Sequence, residues 1–121
     1  MSSKELNPPS ALLPLSPSFF HILLSLGDGE RHGYALKREI FQRTDGKVKL
    51  GPGMLYGSIN KMLALGLIEE SADRPDPHLD DERRRYYRIT DYGREVAQAE
   101  AARMRELAQL AKATFGSPKH V

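Results

Sequence analysis

The residues with the clearest chemical potential lie at positions 46–68, where three lysines and no acid occur, in a chain of 121 residues that has 16 acids. Lys47, Lys49 and Lys61 could neutralise phosphate groups, and the release of counterions would favour binding to a nucleic acid. Asn60 precedes Lys61, and an asparagine amide can form two hydrogen bonds with an adenine edge in the major groove. The stretch therefore indicates a surface suited to duplex DNA; the alternative is that the lysines are simply solvated.

These residues belong to a helix that the sequence predicts over residues 52–65. A proline in the first turn and a glycine just beyond the end favour helix boundaries at those places. At 100° per residue, one sector is apolar and would form the core face. That sector holds Leu55, Ile59, Met62 and Leu63. The opposite sector has little bulk and holds Gly53, Gly57, Asn60, Lys61 and Ala64, with Met54 and Tyr56 at its borders.

Gly57 is an informative residue because glycine inside a helix costs about 1 kcal/mol relative to alanine. It lies on the outward sector, where core packing does not require a small residue. A glycine there would let a phosphate or a base edge approach the backbone closely. The alternative is that Gly57 accommodates a neighbouring helix. The start of the helix, Gly51-Pro52-Gly53, also leaves N–H groups that suit a phosphate.

A second basic segment, RRRYYRIT, occupies residues 83–90. Together with residues 67–71 it predicts a β-hairpin, and the connecting loop at residues 72–82 contains two prolines. Acids cluster at residues 76–82 and four arginines at residues 83–88. We therefore expect the basic strand, rather than the tip of the hairpin, to face DNA. Its arginines at the start are Arg83, Arg84 and Arg85. The alternative is that these arginines pair with the nearby acids.

The other elements complete a familiar order. Ser16 and Pro17 predict the start of a first helix, because a hydroxyl can cap it and proline suits its first position. A second helix is predicted over residues 33–44. Its inward-facing residues are expected to be Leu36, Ile40 and Phe41. Thr90 predicts the cap of a last helix that runs to Phe115, roughly 37 Å at 1.5 Å per residue.

The order helix, helix, helix, hairpin, helix is that of a winged helix-turn-helix. The predicted fold class is therefore mainly α with a small β-hairpin, a winged helix-turn-helix followed by a long C-terminal dimerisation helix. The expected divisions are an N-terminal arm at residues 1–15, a winged-helix DNA-binding domain at residues 16–90, the dimerisation helix at residues 91–115 and a tail at residues 116–121.

The first and last helices carry more apolar surface than a chain of this length can bury alone. A helix that is apolar on most sides needs contacts on most sides, so a homodimer is expected. The interface residues expected are Phe19, Phe20, Leu23, Val96, Met104, Leu107 and Ala111. Methionine and aromatic side chains also make adaptable pocket walls. A small apolar or aromatic effector bound between the subunits is thus one prediction, and a dry interface is the other.

Several kinds of site lack support in the sequence. No cysteine is present, which excludes disulfides, and the four histidines lack metal-ligand spacing. Neither paired carboxylates nor a catalytic triad nor a phosphate-binding glycine loop is found, so no enzyme activity, cofactor or metal is expected. No apolar run approaches the ~20 residues that cross a bilayer, and no signal-peptide pattern is present. A cytoplasmic protein without membrane contact is expected.

Three segments resemble the PadR family of winged-helix transcriptional regulators: HGYALKREI at residues 32–40, LGPGMLYGSINKMLALGLIE at residues 50–69 and RRRYYRITDYGRE at residues 83–95. They stand in the family's order and spacing over most of the chain. The resemblance implies a homodimer, held by the first and last helices, that represses promoters and is often released by small ligands. The single terminal helix resembles the short branch of the family.

The resemblance also implies which residues contact DNA. The family's recognition helix maps onto Pro52, Gly53, Met54, Tyr56, Asn60 and Lys61. Met54 stands where threonine or serine is commoner, so a hydroxyl contact with a phosphate would be absent here. Because a homodimer has two-fold symmetry, its operator is expected to be palindromic. A winged helix used only for protein–protein interaction is the alternative function.

Overall fold

Helices dominate the fold, with a small antiparallel sheet beside them. A computed structural model describes residues 6–71 and 85–119. In chain order these residues form a 3₁₀ helix (Pro9–Leu12), α1 (Pro17–Leu26), β1 (Arg31–His32), α2 (Gly33–Arg43), α3 (Pro52–Leu65), β2 (Ile68–Glu70), β3 (Tyr86–Ile89) and α4 (Asp91–Phe115). The predicted fold class is confirmed. The predicted loop at residues 72–82 lies outside the described residues, as do Arg83 and Arg84.

The helix boundaries follow the capping residues of the sequence. The Ser16 hydroxyl accepts a hydrogen bond from the Phe19 N–H at 3.3 Å and begins α1. The Thr90 hydroxyl accepts one from the Gly93 N–H at 2.9 Å and begins α4. Gly66 ends α3 in the left-handed conformation, with φ of 78°, which glycine adopts without strain. The predicted span of α3 is confirmed at both ends.

The sheet contains a strand that the sequence did not predict. The strand order is β1-β3-β2, so β3 lies between two antiparallel neighbours. In β1, Arg31 pairs with Tyr87 and His32 pairs with Tyr86. The same histidine caps α2, because its Nδ1 accepts a hydrogen bond from the Ala35 N–H at 3.1 Å. A strand of two residues has no pattern of its own and depends on pairing with a strand distant in sequence.

The hydrophobic core lies where α1 meets α2, α3, β3 and the start of α4. Tyr87 is buried and its neighbour Tyr86 is only half-buried, as the alternation along a strand requires. The buried apolar side chains are Leu15, Ile22, Leu23, Leu26, Leu36, Ile40, Leu50, Leu55, Ile59, Met62, Leu67, Ile68, Tyr87 and Val96.

The inward orientation predicted for Phe41 is wrong. Leu36 and Ile40 are buried as expected, but the side chain of Phe41 is 43% exposed. Its ring covers the turn at Gly46, whose φ is 79° and where an added Cβ would lie 3.2 Å from the ring. Because Phe41 is in the last turn of α2, it packs on the chain that leaves the helix rather than on the core.

Gly93 allows a close approach between α4 and the connection that follows α3. An added Cβ there would overlap the carbonyl oxygen of Leu67 and lie 2.9 Å from Cγ1 of Ile89. Only glycine lets α4 cross the connection between α3 and β2 at this distance. The first turns of α4 are thereby fixed on the winged-helix body.

The long helix α4 has two unequal parts. Its first part contributes Val96 and Glu100 to the interior, and both side chains are fully buried. From Ala101 to Phe115 no side chain is buried, and only Arg103 is half-buried. The second part of α4 therefore projects beyond the body of the chain.

Candidate nucleic-acid interface

The outward face of α3 has the composition that its periodicity predicts. Leu55, Ile59 and Met62 are buried, and Leu63 is half-buried. The opposite side consists of exposed residues: Gly53, Gly57, Asn60, Lys61 and Ala64. The exposed side thus presents a cation and an amide among residues that lack bulk.

A hydrogen bond between two hydroxyls joins the buried side of α3 to α1. Ser58 is 5% exposed, and its Oγ lies 3.1 Å from Oγ of Ser18. The polar residue on the buried side of α3 is therefore satisfied by α1. The orientation of the exposed face is fixed by this hydrogen bond as well as by the apolar core.

Gly57 is open to solvent. Apart from its chain neighbours and the backbone of its own helix, no atom of the described residues lies within 4 Å of the place where a Cβ would stand. The alternative explanation, a closely packed neighbouring helix, is therefore excluded for residues 6–71 and 85–119. Close packing of a neighbouring element instead explains the glycine at Gly93. The absence of a side chain at Gly57 leaves room for something outside this chain.

The first turn of α3 is also uncapped by any side chain. Its N-cap residue is Gly51, which has no side chain to accept a hydrogen bond. Pro52 follows, and Gly53 and Met54 are exposed, Met54 by 59%. Free N–H groups and the positive end of the helix dipole favour an anion at such a place.

A cationic concavity beside α3 was missed by the sequence analysis. It is lined by Tyr34, Lys37, Arg38, Phe41 and Lys49, which include three cations and no acid. Of these residues only Lys49 was predicted to bind DNA. The first four stand at spacings of three, four and seven residues on α2, so they form one helical stripe. That spacing is the signal in the sequence that could have identified them as one face.

A second concavity joins the outward face of α3 to the start of α1. Its lining includes Ser16, Ser18, Phe19, Gly57 and Lys61. Phe19 was predicted to lie in a dimer interface, but the structure places it beside α3. The hydroxyls and the lysine make this side of α3 polar.

Arg88 in β3 and Arg85 just before that strand have acidic partners. Arg85 Nη1 lies 3.4 Å from Oε2 of Glu70, and Arg88 Nε lies 2.8 Å from Oε2 of Glu69. Of the three arginines predicted to face DNA, Arg85 therefore has an acidic partner, which is Glu70 of β2 rather than one of the acids at residues 76–82. Such pairs are largely exposed and contribute little, so they can exchange partners at small cost.

The chain's match to a family model decides its classification. Residues 22–99 match the model of the transcriptional regulator PadR-like family, and this range is more than half of the chain. The chain belongs to the PadR-like family. Members of this family are transcriptional regulators rather than enzymes.

Solved structures share the PadR-like fold. A PadR family transcription regulator from Clostridium difficile R20291 superposes with a TM-score of 0.68 at 19% identity, covering 84% of this chain and 100% of that one. A transcriptional regulator from Clostridium thermocellum gives a TM-score of 0.66 at 24% identity, with 83% and 90% covered. A PadR-like regulator from Bacillus cereus gives 0.64 at 20% identity, with 90% and 96% covered.

A curated relative is larger than this chain. It is an uncharacterized 37.1 kDa protein in transposon TN4556 of Streptomyces fradiae, 34% identical over 86 residues. The match covers 71% of this chain and 22% of that protein. The PadR-like chain thus spans about a fifth of that relative's length.

In this PadR-like chain, several cations around α3 differ from Arg43 in their ion pairing. Arg43 is bound by Glu39 at 2.8 Å and by Asp28 at 3.4 Å, and the hydrogen bond with Glu39 is the main reason that the pKa of Arg43 is raised. By contrast, Lys37, Arg38, Lys49 and Lys61 have no ion pair with any residue that the structure describes.

Two residues predicted for a dimer interface are in the chain's own core. Leu23 is 1% exposed and Val96 is fully buried, so neither side chain is available to a partner. They were predicted because helical periodicity alone does not show which apolar side faces inward. Phe20 is half-buried. The residues that stay exposed on the distal part of α4 are Met104, Leu107, Leu110, Ala111 and Phe115.

Metal sites and membrane spans are both absent from the part of the chain that the structure describes. Among residues 6–71 and 85–119, no cluster of three histidine or carboxylate side chains could hold a metal ion. In the same part of the chain, no helix has the length and apolar character to cross a membrane.

Proposed function

We propose that this PadR-like regulator is a homodimeric repressor that reads a palindromic operator with α3. The observation that carries the proposal is the outward face of α3, which is free of acids, open at Gly57 and exposed at Asn60 and Lys61. Its width and its charge suit the major groove. Because its ligand is DNA, we place its action in the cytoplasm.

The exposed residues divide into two roles. Asn60 would hydrogen-bond to a base edge, since an asparagine amide matches adenine. Lys61, Lys49 and the uncapped start of α3 at Pro52 would contact phosphates, which position the protein without reading sequence. The cationic concavity on α2 would extend the phosphate contacts through Lys37 and Arg38. Arg83, Arg84 and Arg85 are proposed to approach the backbone from the hairpin.

The distal part of α4 supplies the reason for a dimer. Leu107, Leu110 and Phe115 are 52%, 65% and 84% exposed. Large apolar side chains grouped on one exposed surface mark an interaction site. A second copy of the chain would cover them, and its two-fold symmetry would place two α3 helices in successive major grooves. Half-sites would then lie ~10 bp apart.

Substitutions in α3 test the two roles. Asn60→Ala is expected to lose discrimination at one or two base positions, with a cost of ~1–3 kcal/mol there. Lys61→Ala is expected to weaken binding to all sequences alike and to reduce the salt dependence by about one unit. Both effects would be measured by fluorescence anisotropy on duplexes selected by the wild-type protein from a random pool.

Matched controls on α4 and beyond it separate these effects from general damage. Gln98→Ala and Lys119→Ala remove the same chemical groups at exposed positions far from α3 in the chain. They should bind like the wild type. If Asn60→Ala keeps the operator preference intact, the assignment of the base contact is wrong. If the wild type binds no duplex at physiological salt, a protein-interaction module becomes the better account.

We also propose that a small apolar or aromatic effector releases the operator by binding between the subunits. Phe20 and Met104 are partly exposed in the chain and would line such a site. An effector must favour one dimer shape over the other, and a coupling of ~1–3 kcal/mol would change operator affinity roughly 5- to 150-fold. Displacement of labelled operator by planar aromatic compounds is the measurement. A screen without any displacement, together with a solid interface in a crystal, would refute it.

A further inference from the structure

The N-terminal arm is held along α4 by two hydrogen bonds that each join residues 85 positions apart. At its far end, the Tyr92 hydroxyl donates to the carbonyl oxygen of Asn7 at 2.8 Å. At its near end, the backbone N–H of Leu15 donates to Oε2 of Glu100 at 3.0 Å. Leu15 is itself part of the buried core. The arm therefore connects the core to the side of α4.

Glu100 is the charged group at the centre of this contact. Its side chain is fully buried, and its two oxygens accept from Arg103 Nε at 2.6 Å and Arg103 Nη2 at 3.0 Å. The hydrogen bond with Arg103 lowers the pKa of Glu100 despite its burial, and the Leu15 N–H adds to this effect. The carboxylate is therefore ionised at neutral pH and held by three donors.

A buried carboxylate is a poor choice for stability alone, since a well-packed apolar side chain of similar volume does as well or better. Its hydrogen bonds, however, are directional. The bond from the Leu15 N–H joins the arm to α4 and restrains the rotation and the tilt of the helix, which an apolar contact leaves freer. The two bonds from Arg103 lie within α4 and hold the carboxylate in place for it. No side chain of α4 beyond Glu100 is buried in the structure. Glu100 thus marks the last buried point at which α4 is attached to the body.

Because α4 continues well beyond Glu100, a small change in its tilt there becomes a large displacement of its end. From Met104 to Phe115, α4 extends roughly 18 Å at 1.5 Å per residue. A tilt of about 10° at the start of this segment would displace its end, at Phe115, by about 3 Å. Neighbouring base pairs are about 3.4 Å apart along the duplex. A looser attachment at Glu100 would therefore let the separation of the two α3 helices vary by about one base-pair step.

We propose that Glu100 is a positioning residue which, together with the N-terminal arm, fixes the direction in which α4 leaves the winged-helix body and so sets the half-site spacing that the dimer accepts. The inference rests on the homodimer and the palindromic operator proposed above. It assigns the buried ion pair a role in operator selection rather than in stability.

The test measures spacing preference. A palindrome selected from random DNA by the wild-type protein is prepared with its half-sites at the selected spacing, one base pair closer and one base pair further apart. The wild type is expected to prefer the selected spacing by roughly tenfold or more, comparable with the loss of one base contact. Glu100→Gln removes the charge at constant size, and its preference is expected to fall to less than about threefold.

Two readouts distinguish a positioning role from general damage. In Glu100→Gln, the dimer mass and the affinity for a single half-site should stay at wild-type values. Glu95→Gln makes the same chemical change at an exposed position one helical turn earlier on α4 and should keep the spacing preference. A Glu100→Gln dimer with the wild-type preference would overturn the proposal.

A milder variant decides the matter if Glu100→Gln does not fold. Tyr92→Phe removes only the hydrogen bond to Asn7, which lies at the surface. It is expected to lower the preference by about threefold, and an unchanged preference would overturn the proposal in that case. A wild-type protein that is monomeric, or that binds one half-site as well as two, would instead refute the homodimer and its operator.

Discussion

A chain that ends at Arg103 is expected to fold as a monomer and to lose most of its affinity for a palindromic operator. The buried side chains of α4 all precede this point, so the core and the contact between Glu100 and Leu15 are kept. The removed residues include the exposed apolar surface of Leu107 and Leu110. Without a link between half-sites, affinity for the palindrome should fall about 10²- to 10⁴-fold.

Light scattering and circular dichroism check this truncation together. The expected result is the mass of a single chain with the helical signal reduced only by the missing turns. Affinity for one half-site should be unchanged. A chain that ends at Phe115, which lacks only the residues after α4, is the matched control and should remain dimeric. A stable dimer from the shorter chain would place the interface elsewhere, for example on α1.

Substitutions at Gly57 are expected to raise stability while they weaken DNA binding. Gly57→Ala should stabilise the protein by about 1 kcal/mol, because alanine is the better helix former and no described atom would be in contact with the new methyl group. The same methyl group lies where we propose that DNA approaches the backbone. Urea denaturation would measure the gain, and anisotropy would measure the loss of affinity.

Larger side chains at Gly57 separate size from charge. Gly57→Gln adds bulk, and Gly57→Glu adds similar bulk with a negative charge that faces phosphates. Juxtaposed like charges cost several kcal/mol, so the glutamate variant should bind at least about 100-fold more weakly than the wild type. If all three variants fold and bind the operator normally, the outward face of α3 does not face DNA.

The local signals of the sequence predicted the helical framework well. Ser16 and Thr90 each cap the helix that they were expected to start, and Gly66 ends α3 in the left-handed conformation. The buried and exposed sides of α3 also follow from periodicity. These features depend on neighbours within one or two helical turns, which is why they can be read from a short stretch of sequence.

The features that escaped prediction depend on distant residues. β1 exists because Arg31 meets Tyr87 across the sheet. Glu100 reads as an ordinary surface acid in the sequence, but in the structure it is fully buried and accepts a hydrogen bond from the distant Leu15. Phe41 was assigned to the core because it is apolar, whereas the end of α2 turns it toward Gly46. Apolar periodicity gives no information on contacts of this kind.

The site could be predicted only in part for the same reason. The candidate residues on α3 lie on one helix, so their common face was visible in the sequence. Lys37 and Arg38 join Lys49 only through the packing of α2 beside the start of α3. Helical spacing placed the first two on one face, but it did not show that Lys49 shares their concavity.

The junction around Thr90 limits how this regulator could be controlled. The Thr90 hydroxyl lies 2.7 Å from the carbonyl oxygen of Gly66, where α3 ends, and accepts from Gly93, where α4 begins. Gly93 also packs directly on Leu67. The end of α3 and the start of α4 are therefore in direct contact, without a flexible connection between them. The chain therefore has few internal degrees of freedom between α3, the proposed DNA-reading helix, and α4, the proposed dimerising helix. A signal that switches the proposed dimer would act by changing the orientation of two nearly rigid subunits relative to each other.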